Sequence, residues 1–346
     1  MKSLILSTLT LLLATLTHAQ ERCDVPSPAI FCNTTEVLQY ESSSCTPFHI
    51  FLSRGSDEPY PGRLGNITSE ICATIGGTKA CGFESIQYPA KSTAWGVDVW
   101  CKSAAKGAAN GQAQMKAYSE KCPDAKLILL GFSQGGAVAQ DVLGGGGGQV
   151  FACDQATNPA LDASKAPGAN IVAAVTFGAV VRNHGQNFTI GEGVNYDGRR
   201  ARTPEQLAAL NKYSDVLLDY CHYGDPMCAV GSEPESVEQH LNYFVQHNPE
   251  VIEWVAKMAK ASEKGETVGK PSSSKSHTSS VVSSSSAKAT ATASASKAAN
   301  NFAAASGTQA QATQSVVSEK TGAAAALGVH HAGVAVMVAL VSAVML

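Results

Sequence analysis

Ser133 lies in Gly131-Phe132-Ser133-Gln134-Gly135, a spacing that suits a nucleophilic serine. A serine hydroxyl reacts only when the backbone lifts it clear of its neighbours and a base takes its proton. Glycines two residues to either side permit that turn, because side chains there would strike the flanking strand and helix. The chemistry implied is acyl transfer through a covalent serine ester. It needs an imidazole base and a carboxylate that fixes the imidazole's tautomer.

Four histidines follow Ser133 before residue 263: His184, His222, His240 and His247. On a strand–turn–helix elbow the chain order is serine, then acid, then histidine. Asp225 fits the acid, because it follows the apolar run Val216-Leu217-Leu218-Asp219-Tyr220. It also sits between Cys221 and Cys228, whose disulfide would pin its loop. His222 precedes Asp225 and breaks the order. His240 and His247 both satisfy it, with His240 just before Leu241-Asn242-Tyr243-Phe244. This chemistry needs no cofactor, and the absence of any Cys-x-x-Cys pair argues against a zinc site.

The elements that must hold these residues read as alternating strands and helices. Leu127-Ile128-Leu129-Leu130 is a buried strand, and Gly136-Ala137-Val138-Ala139 begins a helix that can lie close to a sheet. Further strands are expected at 48–52, 85–89, 171–177 and 216–220, and helices at 67–75, 97–119 and 249–262. The glycine run 144–148 reads as loop, and residues 21–45 as an extension without periodicity. Continuously apolar strands that alternate with helices predict an α/β fold: about five parallel strands covered on both faces.

Composition assigns the rest of the chain. Lys2, the apolar run 4–16 and Thr17-His18-Ala19 read as an export signal over 1–20. All ten cysteines lie between Cys23 and Cys228, as a disulfide framework in an exported protein would place them. Asn33, Asn66 and Asn187 begin N-glycosylation sequons. Ser, Ala, Thr and Lys dominate 263–322, which reads as a glycosylated stalk. Residues 323–346 read as a glycosylphosphatidylinositol signal removed on maturation, with the lipid joined at Gly322. With 25 basic and 28 acidic side chains, no charge excess points to nucleic acid.

Three stretches together resemble the cutinase and acetylxylan esterase family: 131–136, the Cys221 to Cys228 loop around Gly224-Asp225, and His240-Leu241-Asn242-Tyr243. Phe51-Leu52-Ser53-Arg54-Gly55-Ser56 resembles the family's first-strand motif. The resemblance covers about 45–262 and implies a small, disulfide-rich α/β-hydrolase without a lid. It makes Ser133 the nucleophile, Asp225 the orienting acid and His240 the base. It places the oxyanion donors at Gln134 and Ser56 and pairs Cys45 with Cys122. Cys23–Cys32, Cys72–Cys81 and Cys101–Cys153 are the remaining expected pairs. The expected protein is a monomeric serine esterase of cell-wall or cuticle polymers, cutin or acetylated xylan, tethered to a membrane by its lipid. The alternative is a non-catalytic wall protein that keeps the fold.

Overall fold

The computed structural model describes residues 35–266 and 268–271. The export signal, Asn33, Cys23, Cys32, the stalk beyond residue 271 and Gly322 lie outside the described residues.

In chain order the elements are α1 (Thr35–Leu38), β1 (Phe48–Ser53), α2 (Leu64–Thr74), β2 (Cys81–Ser85), α3 (Val97–Lys121), β3 (Lys126–Phe132) and α4 (Gln134–Gly144). A hairpin follows, β4 (Gly146–Val150) and β5 (Cys153–Asn158). Then come β6 (Ile171–Phe177), β7 (Thr189–Ile190), α5 (Pro204–Leu210) and β8 (Leu217–Tyr220). The last elements are α6 (Val237–Leu241), α7 (Tyr243–Gln246) and α8 (Asn248–Lys264).

Six strands form one parallel sheet in the order β2-β1-β3-β6-β8-β7. β3 is central and buried along its apolar length, which explains its unbroken run of leucine and isoleucine. Alternate side chains of each strand feed two separate cores. Leu127 and Leu129 pack with α3 and α4, while Ile128 and Leu130 pack with α2 and α8. Val251, Trp254, Val255 and Met258 of α8 belong to the second core.

Three expectations need correction. The second strand is Cys81–Ser85, not 85–89. The Ile86 N–H still bonds Leu52 O at 2.7 Å, but the chain then turns so that Tyr88 O accepts from Arg54. The glycine run is not all loop: α4 extends to Gly144, and Gly146–Val150 is a strand. The glycines leave room for close neighbours: a Cβ at Gly147 would lie 2.5 Å from Thr157 Cα of β5, and one at Gly148 2.7 Å from Arg200 Nη1. A two-residue turn, Phe151-Ala152 with φ of 50° and 62°, closes the hairpin in the geometry that favours antiparallel pairing. Residues 35–45 are more than an extension. They supply α1, and Glu41 bridges to Phe83 on the sheet edge.

Four disulfides join Cys45–Cys122, Cys72–Cys81, Cys101–Cys153 and Cys221–Cys228. No cysteine among the described residues is free. Among the described residues no helix is long and apolar enough to cross a membrane.

Candidate active site

β3 delivers Ser133 to the carboxyl end of the sheet, and α4 begins at the next residue. The serine backbone is forced to φ 57° and ψ −120°, a conformation that side chains resist. The bend is held from both sides. Ser133 N–H donates to Phe177 O at 2.9 Å, and Ser133 O accepts from Ala137 N–H at 3.1 Å. Gly135 is required by the close approach of the loop after β1: a Cβ there would lie 1.9 Å from Ser53 O.

His240 reaches this serine from α6. Its Nε2 lies 2.9 Å from Ser133 Oγ, and its Nδ1 lies 2.9 Å and 3.0 Å from the two Asp225 oxygens. A carboxylate only accepts, so Nδ1 carries the proton and Nε2 is left to accept from the serine hydroxyl. Ser133 is 8% exposed, while Asp225 is fully buried. Gly178, at φ +57°, makes room for this contact. A Cβ there would lie 2.9 Å from the His240 ring and 3.0 Å from Asp225 Oδ2.

Asp225 Oδ1 accepts from Met227 N–H at 2.7 Å and Cys228 N–H at 3.2 Å, inside the turn that the Cys221–Cys228 disulfide closes. Oδ2 accepts from the Tyr243 hydroxyl at 2.5 Å. Burial pushes the Asp225 carboxyl up, but His240, the Tyr243 hydroxyl and Met227 N–H outweigh it and leave it below the ordinary carboxylate range. Burial, then the Asp225 charge, holds the Tyr243 hydroxyl well above the usual phenol range. The pair is therefore an ionised acid and a neutral donor.

The other histidines stand elsewhere. His247 Nδ1 meets Glu250 at 2.8 Å, and its Nε2 meets His222 Nε2 at 2.8 Å. His222 stacks on Tyr243 with ring centroids 4.0 Å apart, behind the acid. His184 is exposed and bonds Asp197.

The expected oxyanion donors flank the elbow. Gln134 opens α4, so its N–H has no intrahelical partner. Its side chain is engaged elsewhere, accepting from Ser103 Oγ at 3.0 Å and donating to Lys91 O at 2.9 Å. Ser56 is half-buried in the loop after β1. That loop is braced by a charged cluster that sequence reasoning missed. Gly55 N–H donates to Glu58 Oε2 at 2.9 Å, and Arg63 bonds Glu58 Oε1 at 2.5 Å. Arg54 lies 3.6 Å from the Tyr60 ring centroid and donates to Glu58 O at 2.7 Å. The available signal was two arginines and a glutamate within ten residues around Ser56.

Of the sequons, Asn187 is exposed, whereas Asn66 is half-buried within α2 and donates to Glu70. Among the described residues no group of His, Cys, Asp and Glu could hold a metal ion.

The sequence model of the cutinase family matches residues 44–259. Acetylxylan esterase 2 of Talaromyces purpureogenus is 27% identical over 223 residues, covering 62% of this chain and 88% of the relative. Cutinase 11 of Verticillium dahliae is 26% identical over 196 residues, covering 56% and 63%. A solved acetylxylan esterase superposes with a TM-score of 0.51 at 22% identity, covering 62% of this chain and 100% of that one. That likeness is one of fold. A match that spans the elbow, the acid loop and the closing helices places this chain in the cutinase family, and it is a carboxylic ester hydrolase.

Proposed function

We propose that this esterase deacetylates plant cell-wall xylan through a Ser133–His240–Asp225 triad and an acyl-enzyme. The observation that carries the triad is His240, with one ring nitrogen 2.9 Å from Ser133 Oγ and the other 2.9 Å from Asp225. His240 Nε2 takes the serine proton as Oγ attacks the ester carbonyl. The negative charge that develops on the carbonyl oxygen is met by Gln134 N–H, with Ser56 as second donor. Collapse expels the sugar hydroxyl, which receives the proton from His240. Water then repeats the sequence on the acyl-serine and releases the acid.

Support for acetylated xylan comes from Acetylxylan esterase 2, matched at 27% identity over 88% of its own length; cutinases match at 26% and 24%, so cutin is the second reading. The test is turnover across 4-nitrophenyl esters of rising chain length, with Ser133→Ala as control. A maximum at acetyl supports the reading. A maximum at medium chains moves the substrate to cutin, and no wild-type turnover ends the catalytic reading. Loss of Ser133 should lower turnover on the order of a million-fold.

The place of action follows from other features. Four disulfides suit an oxidising compartment, which supports export. The Ser/Ala/Thr composition of 272–321 and the apolar run 332–346 support a stalk and a lipid joined near Gly322. Inositol-specific phospholipase should then release the esterase from intact cells, and a mature form still carrying 334–346 contradicts the anchor.

A further inference from the structure

Trp95 stands apart from the protein's other two tryptophans. It is 61% exposed, whereas Trp100 is 2% and Trp254 is 3% exposed. A single exposed aromatic ring is ordinary on a protein surface. This one is fixed in orientation and tied to the acyl-transfer centre. Its indole N–H donates to Asp57 Oδ1 at 3.0 Å, and the same oxygen accepts from Ser92 N–H at 3.3 Å. Lys91 Nζ lies 4.0 Å from the ring centroid.

Both anchors belong to segments that touch the elbow. Asp57 follows Ser56 directly, in the loop whose Ser53 and Arg54 carbonyls press on Gly135. Lys91 O accepts from the Gln134 side chain at 2.9 Å, and Gln134 follows the nucleophile. The indole is thus carried by the two segments that hold the expected oxyanion donors. The hydrogen bond and the ammonium fix the ring in the free protein but leave most of its apolar surface exposed, so covering it would add burial.

We propose that Trp95 is a stacking platform for a pyranose ring of the polymer that carries the scissile ester. The proposal rests on the esterase reading of Ser133. One face of a pyranose presents weakly positive C–H bonds, which match the negative face of an indole. Its rim presents hydroxyls, which match Asp57 at the indole edge, while Lys91 lies over one face of the ring and leaves the opposite face to the sugar. An acyl chain would gain from the indole but would also desolvate the carboxylate at the ring's edge, and the ammonium over the ring's other face makes it a more polar surface. The surroundings of the ring therefore select a sugar over a lipid.

The probe is unesterified xylotetraose added to the full-length enzyme. Trp100 and Trp254 are buried, so a saturable change in tryptophan emission reports Trp95. Xylotetraose should also inhibit 4-nitrophenyl acetate hydrolysis, and its inhibition constant should rise about tenfold in Trp95→Ala, the loss of one stacked pair. Trp95→Phe keeps a ring and should retain most of the inhibition. Unchanged emission, or equal inhibition of wild type and Trp95→Ala, overturns the platform and leaves the esterase reading standing. Emission that responds to dodecanoate micelles but not to xylotetraose overturns the sugar assignment. If the enzyme turns over no ester, the emission titration still decides the platform by itself.

Discussion

The Tyr243 hydroxyl is shared three ways. It donates to Asp225, accepts from His222 N–H at 3.0 Å and touches the Cys228 sulfur at 3.2 Å. Removing it in Tyr243→Phe takes a charge-assisted bond from the acid, so kcat should fall about tenfold with KM little changed. Turnover in Tyr243→Phe that recovers as pH rises would mark the loss of the Tyr243 hydrogen bond that helps hold the Asp225 carboxyl low, which a purely packing role would not produce. His240→Ala should match Ser133→Ala in its damage, whereas His247→Ala should leave turnover within a few fold. Steady-state kinetics on 4-nitrophenyl acetate separates the two. If Ser56 is the proposed second oxyanion donor, Ser56→Ala should lower turnover about a hundredfold, the backbone N–H remaining. An unchanged rate removes Ser56 from the site.

At the scale of elements, the acid loop is held by more than its disulfide. Arg182 donates to Asp219 Oδ2 at 2.7 Å and to Cys228 O at 3.0 Å, linking β8 to the turn that carries Asp225. Both charges of the Arg182–Asp219 pair are buried. Arg182→Met would strand the carboxylate at a cost of about 3–5 kcal/mol, and adding Asp219→Leu should recover much of it. Urea midpoints of the single and double variants check this. The Cys221–Cys228 bond closes seven residues and Cys45–Cys122 closes 77. Chain entropy alone then assigns them about 2.5 and about 4.5 kcal/mol. Loss of the short bridge should harm turnover more than melting temperature, and loss of the long one the reverse.

These elements also show what a sequence can display. The elbow, the buried strands and the acid loop are local patterns, so Ser133 and Asp225 stand out from their own neighbours. His240 and His247 satisfy the same order rule, and only the fold turns one towards the serine. Tyr243 and Arg182 act across 18 and 37 residues, through contacts that no local period encodes. The glycine run misleads because glycine's usual weakness in strands presumes that the strand must supply its own packing. Here Asp141, Thr157 and Arg200 already fill the space that side chains at Gly146, Gly147 and Gly148 would need.

Across the whole molecule, the His222–His247 contact makes stability respond to acid. His222 Nδ1–H donates to Gln239 O at 2.8 Å, so its Nε2 must stay bare to accept from His247. Burial lowers the His222 titration below its ordinary 6.5, and the neighbouring His247 adds to that. The unfolded chain therefore binds a proton there that the folded chain refuses. The associated stability is present above pH 6.5 and is lost as pH falls towards the lowered folded value. Melting temperature should drop through that window, and His222→Asn should flatten the drop. A slope unchanged by the substitution assigns it to other groups.

The strand order has a temporal consequence. β8 is inserted between β6 and β7, although it follows both along the chain. Until it arrives, β7 has no neighbour in the sheet, and neither Asp225 nor His240 has been positioned. A nascent chain that stops before residue 217 carries Ser133 but neither Asp225 nor His240, so on the proposed triad it should be inert towards esters. Parallel strands paired over long separations also assemble slowly. In refolding with disulfides intact, ester turnover should appear only with the slowest phase, after most helical signal has returned. On the proposed triad Ser133 comes early in synthesis, and the ability to cleave an ester should arrive only with the last strand along the chain.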